Sequence, residues 1–244
     1  MVVLPADHYI PDREKFINCL NKAIDYAKKG YLVTFGIVPT RPETGYGYIE
    51  IGEKLSDDVY EVKRFKEKPN QKQANAFIRQ GRFLWNSGMF VWLASTILQE
   101  IQKYLPEVYD ALVKIKSEPN RENILRIYEN MPNISIDYGV MEHAKRVAVV
   151  RSDFIWDDVG AWTSLERIHK PDTNGNIIMG RHVGIDTRNT IIKSDDGLVA
   201  TLGINGLLIV KSGNVILVCD KRYAQSIKEI VAKISECSEL NEYL

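Results

Sequence analysis

The chain has 244 residues, with 32 Lys and Arg against 32 Asp and Glu, so its formal net charge at pH 7 is zero. This balance argues against a nucleic-acid-binding protein, which normally carries a basic surplus that neutralises phosphates. No stretch approaches the ~18 consecutive apolar residues that a membrane-spanning helix needs. Three cysteines are too few for a disulfide scaffold. We therefore expect a reduced, cytoplasmic protein without nucleic-acid or membrane partners.

The first part of the chain predicts alternating strands and helices. Residues 1–4 are apolar and β-branched and stop at Pro5, as a short buried strand would. A helix is predicted over residues 12–29, ending at Gly30, and a strand over residues 32–38. Strand, helix and strand in this order predict the beginning of a parallel α/β sheet. Because a buried parallel strand needs neighbours on both sides, we expect the chain to begin partway through a larger domain.

The following segments are predicted from apolar periodicity and turn residues. Further strands are predicted at residues 48–51, 59–65, 89–93 and 146–150, and helices from Asn70 to Gly81, within 95–131, at 135–144 and at 161–169. After Lys170, a cluster of turn residues at 171–176 indicates a domain boundary. We therefore expect two domains, residues 1–170 and residues 171–244.

The second domain is predicted to be a small all-β module that ends in a helix. Its short strands are predicted at residues 177–179, 190–193, 198–202, 207–211 and 215–219, separated by glycine-containing turns. An amphipathic helix is predicted from Tyr223 to Ile234, and its apolar residues Ile227, Ile230, Val231 and Ile234 are expected to face inward. This module with its apolar helix is a candidate homodimer surface.

Asp7 follows the predicted opening strand directly. Ligands of open α/β sheets bind beyond the carboxyl ends of strands, so Asp7 lies where a metal-binding carboxylate belongs. Capping of the next helix by Asp7 or Asp12 is the alternative. A single acid in this position favours the capping role.

Three further segments carry polar groups suited to a small ligand. Gly45 and Gly47, in a loop stiffened by two prolines, permit close approach of the backbone to a ligand, or form an ordinary tight connection. Glu67 and Lys68 combine an acceptor for hydroxyl groups with a point charge for a phosphate, although a solvated charge run is the commoner case. Asn86 offers the donor and acceptor that a sugar hydroxyl needs, or it is a turn residue before a strand.

The adjacent Asp157 and Asp158 are poor candidates for a shared acid pair, because neighbouring side chains on an extended backbone point to opposite sides. One of them can face the crevice at the sheet while the other caps the helix that starts near Ala161. The histidines and cysteines show no zinc-ligand spacing, and the sequence contains no nucleophile-elbow motif. The residues therefore do not favour a covalent mechanism.

Together, these segments resemble the bacterial mannose-1-phosphate guanylyltransferases, also called GDP-mannose pyrophosphorylases. The matching stretches, in the order of the family, are VLPADHYI, GIVPTRPETGYGYIE, VKRFKEKP, FLWNSGMFVW, SIDYGVMEHA and DFIWDDVGAW. They extend from the opening strand to Trp162, and a family-like β segment follows. The resemblance implies an α/β fold. In it a Rossmann-like nucleotide-diphospho-sugar transferase sheet, here N-terminally incomplete, precedes a small β-helix-like module and a C-terminal helix.

The resemblance also implies a reaction, in which GTP and α-D-mannose 1-phosphate give GDP-mannose and pyrophosphate. The sugar-phosphate oxygen would attack the α-phosphorus in line, so positioning and charge neutralisation replace a protein nucleophile. Mg²⁺ would be held by carboxylates from two strand ends. By motif match these are Asp7 and Asp158, with Asp157 at the variable position of the W-x-D-V-G pattern. Together with Lys68 they form the expected catalytic set.

In similar enzymes the sugar phosphate would be held by a second group of residues. Glu67 would accept hydrogen bonds from mannose hydroxyls, and Lys68 would bind the phosphate. Asn86 and the backbone of Gly47 would complete the sugar pocket. Asp137 would help to line it, or it belongs to the cap of a short helix.

The chain departs from the family pattern in one respect. It contains no glycine-rich loop with a nearby arginine and lysine, the element that cradles the triphosphate at a helix N-terminus in these enzymes. We therefore expect that this chain alone would not turn over. Two alternatives stay open: a non-catalytic subunit that binds sugar phosphate or regulates a partner, and a related sugar-1-phosphate nucleotidyltransferase with a different base or sugar.

Overall fold

A six-stranded sheet organises the first part of the chain in this computed structural model, which describes residues 1–243. Its strands are β1 (Val2–Val3), β2 (Leu32–Ile37), β3 (Tyr48–Ser56), β4 (Val59–Lys66), β5 (Phe83–Val91) and β6 (Val147–Ser152). They lie in the order β1-β5-β2-β6-β4-β3. β2 and β6 are parallel, whereas β5 is antiparallel to both β1 and β2. The sheet is therefore mixed rather than parallel as predicted, because β5 lies between β1 and β2.

β5 divides its pairing between two neighbours. Residues 83–85 pair with β3, while the later part of the strand pairs with β2. The register of β5 against β2 shifts between Thr34 and Gly36, and Gly88 has a positive φ of 67°. Such a bulge bends the strand and changes the direction of nearby side chains. β5 begins earlier than predicted and includes Asn86, so the interpretation of Asn86 as a turn residue before a strand is wrong.

The opening strand also differs from its prediction. Residues 1–4 have the pattern of a buried strand, yet Val2 and Val3 are 41% and 38% exposed. They pair antiparallel with Val91 and Phe90, at the edge of the sheet. An edge strand has one neighbour only, so its apolar side chains keep contact with solvent.

Five α-helices and one π-helical turn accompany this sheet. They are α1 (Arg13–Lys28), α2 (Gln71–Gln80), α3 (Ala94–Tyr104), α4 (Pro106–Ser117), α5 (Arg121–Glu129) and the π-helical turn Asp137–Met141. The α2 boundaries follow the sequence signals: Asn70 forms a capping box with Gln73, and Gly81 adopts the left-handed conformation. The segment predicted as a short helix at residues 135–144 is the π-helical turn.

The hydrophobic core of this part of the chain surrounds β2. All residues of β2 are buried. Phe35, Tyr48, Trp85 and Val150 belong to the largest buried cluster of this core. A strand buried on both faces needs a largely apolar sequence, which is why β2 is readable in the sequence despite its polar Thr34.

The last part of the chain contains short strands that alternate between two sheets. The strands are β7 (Ile177–Met179), β8 (His182–Ile185), β9 (Ile191–Ser194), β10 (Val199–Leu202), β11 (Leu207–Ser212) and β12 (Val215–Asp220), and the helices are α6 (Leu165–Ile168) and α7 (Ile227–Ser235). β7, β9 and β11 pair in parallel, as do β8 and β10. This alternation builds a β-helix-like coil. The buried residues Ile177, Ile191 and Leu208 lie at matching register positions inside it.

Two details of this β module correct the sequence predictions. β8 has no counterpart among the predicted strands. The C-terminal helix begins with a 3₁₀ turn, Lys221–Ser226, before α7. Ile230 and Val231 are each 47% exposed, so the prediction that they face inward is wrong, whereas Ile227 packs on the module's core.

By packing, the structure consists of two units that do not follow the predicted boundary at Lys170. The first comprises Met1–Ala6 and Ile10–Trp156, and the second comprises Asp7–Tyr9 and the chain from Asp157 onward. The segment 157–170 therefore packs with the β-rich part. Within residues 1–243, no helix combines the length and apolar character needed to cross a membrane.

Candidate active site

Four of the residues predicted to hold a sugar lie together in the first unit: Gly47, Glu67, Asn86 and Asp137, here called the Gly47 cluster. The backbone N–H of Asn86 donates to the carbonyl of Gly47 at 2.8 Å. The side-chain Nδ2 of Asn86 donates to Oδ1 of Asp137 at 2.7 Å. A Cβ atom on Gly47 would collide with Oε2 of Glu67. A larger residue at position 47 would therefore have to displace the Glu67 carboxylate.

The amide of Asn86 has a defined orientation. Its Oδ1 accepts from the backbone N–H of Gly88 and from Oγ1 of Thr34, both at 3.3 Å. Thr34 is fully buried on β2 and also contacts the carbonyl of Met89 at 3.1 Å. With Oδ1 satisfied inside the protein, Nδ2 faces Asp137. Asp137 therefore accepts from Asn86. The N-cap position of the π-helical turn is Ile136, so the alternative that Asp137 belongs to a helix cap is not realised.

The two acids of the Gly47 cluster resist ionisation. Burial raises the pKa of Asp137, although the hydrogen bond from Asn86 opposes the shift. Burial also raises the pKa of Glu67, and the negative charge of Asp137 adds to it. Lys68 Nζ lies 3.9 Å from Oε1 of Glu67, too far for a strong hydrogen bond. Hydroxyl donors from a ligand would satisfy these carboxylates.

Lys68 has an exposed side chain on an unusual backbone. Its φ is +38°, in the left-handed region that residues other than glycine seldom adopt. The side chain is 67% exposed and the next residue, Pro69, is buried. Holding a residue in such a conformation costs on the order of 1–3 kcal/mol, and such residues concentrate at functional sites.

Asp7 and Asp158, the predicted metal ligands, lie in the second unit on two paired segments. The backbone N–H of Tyr9 donates to the carbonyl of Asp157 at 2.8 Å, and the N–H of Asp157 donates back at 3.1 Å. His8 lies in the field of both acids: burial lowers its pKa, and the charges of Asp7 and Asp158 oppose that shift. The capping alternative for Asp7 is not realised, because Asp12 caps α1 by accepting from Lys15 N–H at 3.0 Å.

Asp157 and Asp158 have different environments. Asp157 is 3% exposed, and its carboxylate accepts two hydrogen bonds from Arg167 and one from the backbone N–H of Val159. Burial alone would raise the pKa of Asp157, but these hydrogen bonds outweigh it and hold the pKa below its ordinary value. Asp158 accepts from the backbone N–H of Gly160 at 3.2 Å. Within the described residues, the following 3₁₀ turn, Trp162–Ser164, has no side-chain cap, so the expectation that one aspartate caps it is wrong.

Comparison with known proteins decides the family. Residues 1–175 match the model of the nucleotidyl transferase family, and residues 180–234 match that of the MannoseP isomerase/GMP-like β-helix domain. The chain belongs to the nucleotidyl transferase family. Its α/β class and its β-helix-like module with a C-terminal helix are thereby confirmed.

Individual relatives match most of the chain. A mannose-1-phosphate guanylyltransferase from Escherichia coli is 43% identical over 240 residues, which are 95% of this chain and 52% of that protein. Another, from E. coli strain K12, is 40% identical over 243 residues, which are 96% of this chain and 51% of that protein. A crystal structure described as mannose-1-phosphate geranyltransferase from Thermus thermophilus has a TM-score of 0.89 and 40% identity, covering 96% of this chain and 69% of that one. The chain spans about half the length of the curated relatives it matches.

The chemistry of Asp7 and Asp158 can be compared with what a hard divalent cation requires. Among residues 1–243, no group of three or more His, Cys, Asp or Glu side chains is arranged to hold a metal. Mg²⁺ does not require such a cage, since it is usually bound by one or two carboxylates together with water and substrate phosphates. Asp7 and Asp158 lie on paired segments and would fit this requirement, whereas Asp157 is already paired with Arg167.

Three residues that support the Gly47 cluster or the segment of Asp157 and Asp158 are not identified from the sequence. Thr34 is polar inside an otherwise apolar strand, and that exception is a readable signal. Val159 has a positive φ of 50°, which its residue type does not suggest. Arg167 looks like an ordinary charged helix residue, because its partner lies ten residues earlier in the chain.

Proposed function

We propose that this protein transfers the guanylyl group of GTP to α-D-mannose 1-phosphate, forming GDP-mannose and pyrophosphate. Membership of the nucleotidyl transferase family and relatives named mannose-1-phosphate guanylyltransferase support this choice. The observation that carries it is the Gly47 cluster, where half-buried acids and an oriented amide present acceptors and a donor at short range. This pattern suits a ligand with several hydroxyl groups.

The Gly47 cluster would bind and orient the sugar. Glu67 would accept hydrogen bonds from mannose hydroxyls, which would compensate the partial burial of its carboxylate. Asn86 and the backbone of Gly47 would fix the ring, with Asp137 holding the Asn86 amide in place. Lys68 would place its charge on the sugar phosphate.

Asp7 and Asp158 would hold Mg²⁺. When bound, the ion supplies positive charge that neutralises the phosphates and favours the leaving pyrophosphate. The attacking group is the phosphate oxygen of the sugar, so the chain's own side chains need only bind and align the reactants. No covalent intermediate on the protein is required.

Sugar binding is tested by calorimetric titration of the chain with mannose 1-phosphate. The wild type and the control Glu53→Gln, an exposed position on β3, are expected to bind alike. Glu67→Gln is expected to bind roughly tenfold more weakly, the loss of about one charged hydrogen bond. Absence of binding by the wild type, or equal binding by Glu67→Gln, would contradict the proposal. Parallel titrations with glucose 1-phosphate report on the sugar.

Transfer is tested with a fusion that places before Met1 the glycine-rich loop expected from the family pattern. Formation of GDP-mannose from GTP, mannose 1-phosphate and Mg²⁺, read by chromatography, is the expected result. Asp158→Asn in the same fusion is expected to abolish product. A fusion that binds mannose 1-phosphate but makes no product would overturn the transferase proposal in favour of a sugar-phosphate-binding subunit.

A further inference from the structure

Arg167 holds the segment that carries Asp158. Its Nε and Nη2 donate to the two carboxylate oxygens of Asp157, the second at 3.0 Å, which is the bidentate geometry of a guanidinium on a carboxylate. The same Nη2 donates to Oγ of Ser164 at 2.7 Å. The Asp157 side chain is 4% exposed and that of Arg167 is 32% exposed. This ion pair is therefore better ordered and less solvated than an ordinary surface pair.

The position of Asp157 determines the positions of both predicted metal ligands. Its backbone exchanges two hydrogen bonds with Tyr9, two residues after Asp7, and Asp158 is its neighbour in the chain. Its carboxylate also accepts from the N–H of Val159 at 3.0 Å. Val159 is β-branched and has a φ of +50°, a conformation that such residues keep only under local restraint.

We propose that Arg167 is a positioning residue for a divalent-cation site formed by Asp7 and Asp158. By pairing with Asp157, it keeps the two acid-bearing segments in register. It also removes the Asp157 carboxylate from competition for the cation. The inference rests on the proposed function, since it concerns the cation that this function requires. It adds a residue that contacts neither the cation nor the substrates.

The test measures binding of Mn²⁺, used as the probe metal alone, by electron paramagnetic resonance of the free ion. Arg167→Gln is expected to weaken Mn²⁺ binding roughly tenfold or more, the usual cost of losing a residue that orients a metal ligand. Arg167→Lys is expected to restore it only in part, because an ammonium cannot pair with both carboxylate oxygens. Arg181→Gln, which removes the same charge from an exposed position of the second unit, is the control and is expected to bind as the wild type does.

Loss of the fold would be separated from loss of positioning by a second variant. Asp157→Asn combined with Arg167→Gln removes both charges, so no buried carboxylate is left without a partner. Its unfolding midpoint is expected near that of the wild type, with Mn²⁺ binding still weakened. Wild-type affinity in this double variant, or in folded Arg167→Gln, would overturn the role of Arg167.

A failure of the cation site that the proposed function requires would give a different experimental result. If Asp158→Asn binds Mn²⁺ as tightly as the wild type, the cation site itself is wrong, and the inference falls with it. If Asp158→Asn abolishes binding while Arg167→Gln leaves it unchanged, the cation site stands and only the positioning role is refuted.

Discussion

The buried Glu50 and the half-buried acids of the Gly47 cluster, all in the first unit, are treated in opposite ways by the protein. Glu50, on β3, is 1% exposed, and three cations surround its carboxylate: Lys63 Nζ at 3.0 Å, Arg64 Nε at 2.5 Å and Arg82 Nε at 3.2 Å. In the Gly47 cluster, the cation next to Glu67 is Lys68, at 3.9 Å. The Glu67 side chain is 23% exposed and keeps partial contact with solvent, so the two sites differ in burial as well as in their partners.

The consequence appears in their protonation. Burial alone would raise the pKa of Glu50, but the hydrogen bonds from Lys63 and Arg64 outweigh it and hold that pKa below its ordinary value. Burial raises the pKa of Glu67 and of Asp137, because the compensation that the described residues give these two acids is weaker. An acid that supports the fold is neutralised by the protein's own cations. Acids that the protein's cations compensate less, such as Glu67 and Asp137, are available to a ligand. Their weaker compensation lowers the stability of the fold.

The largest effect is expected at Glu50. Glu50→Gln removes the anion on which three cations converge, and should lower the free energy of unfolding by about 2 kcal/mol, the scale of hydrogen bonds to charged groups. Urea unfolding at neutral pH measures this. Glu53→Gln, exposed on the same strand, is the control and should change stability by less than about 0.5 kcal/mol. If Glu50→Gln and Glu53→Gln are equally stable, the three cations do not stabilise the fold through Glu50, and the comparison with the Gly47 cluster is wrong.

The effect at Glu50 should also depend on pH. A carboxyl whose folded pKa is lowered stabilises the fold above its unfolded pKa, and this contribution is lost as the pH falls through the folded value. The stability difference between the wild type and Glu50→Gln should therefore shrink in acid. A difference that grows on acidification would mean that the cations do not stabilise the Glu50 carboxylate.

Next in size is a substitution at Gly47. In Gly47→Ala, the new methyl group must displace the Glu67 carboxylate. Binding of mannose 1-phosphate should weaken roughly tenfold, equivalent to about 1.4 kcal/mol, as measured by calorimetry. Gly45→Ala, in the same loop but with more open space, is the matched control. If both variants bind equally well, the close approach of Gly47 to Glu67 is unrelated to ligand binding.

A smaller effect of opposite sign is expected at Asp137. Because its folded pKa is raised, the wild type loses stability as the pH rises from the ordinary Asp value of about 4 through the folded value. Asp137→Asn keeps an oxygen acceptor for Asn86 and carries no charge, so its melting temperature should exceed that of the wild type at neutral pH and match it near pH 4. Asp110→Asn, exposed on α4, controls for the loss of one charge. If Asp137→Asn is less stable than the wild type at neutral pH, ionisation of Asp137 does not destabilise the fold and the prediction is wrong.

The smallest effect is expected for one of the three cations around Glu50. The Lys63 side chain is 59% exposed, and Arg64 and Arg82 remain on the carboxylate when it is removed. Lys63→Gln should cost about 0.5 kcal/mol or less in urea unfolding. A loss as large as that of Glu50→Gln would show that Lys63 alone neutralises the buried acid.

Local chemistry allowed several elements to be predicted with accurate bounds. The caps Asn70 and Gly81 delimit α2, and the largely apolar sequence of β2 identifies a strand buried on both faces. The turns of the β module separate strands that match the structure closely, such as Ile177–Met179. Each of these signals is contained in a few consecutive residues, so no distant contact is needed to read it.

Long-range pairing accounts for the errors. The place of β5 between β1 and β2 depends on partners that lie 48 to 89 positions away in the chain. The antiparallel direction of β5, like that of β4 against β6, makes the sheet mixed rather than parallel. Ile230 and Val231 have an apolar pattern, but whether such a face is buried depends on what packs against it.

The sequence by itself determined the residue types of the site and, through its motifs, which acids, amide and glycine to examine. Only the tertiary structure decided their environments. It brought Glu67 against Gly47, oriented the Asn86 amide through Thr34 and closed Arg167 on Asp157. The motifs show the chemistry of the side chains. Burial and hydrogen-bond partners arise from contacts between residues that are separated in the chain. Those contacts decide whether an acid is neutralised by the protein or left for a ligand.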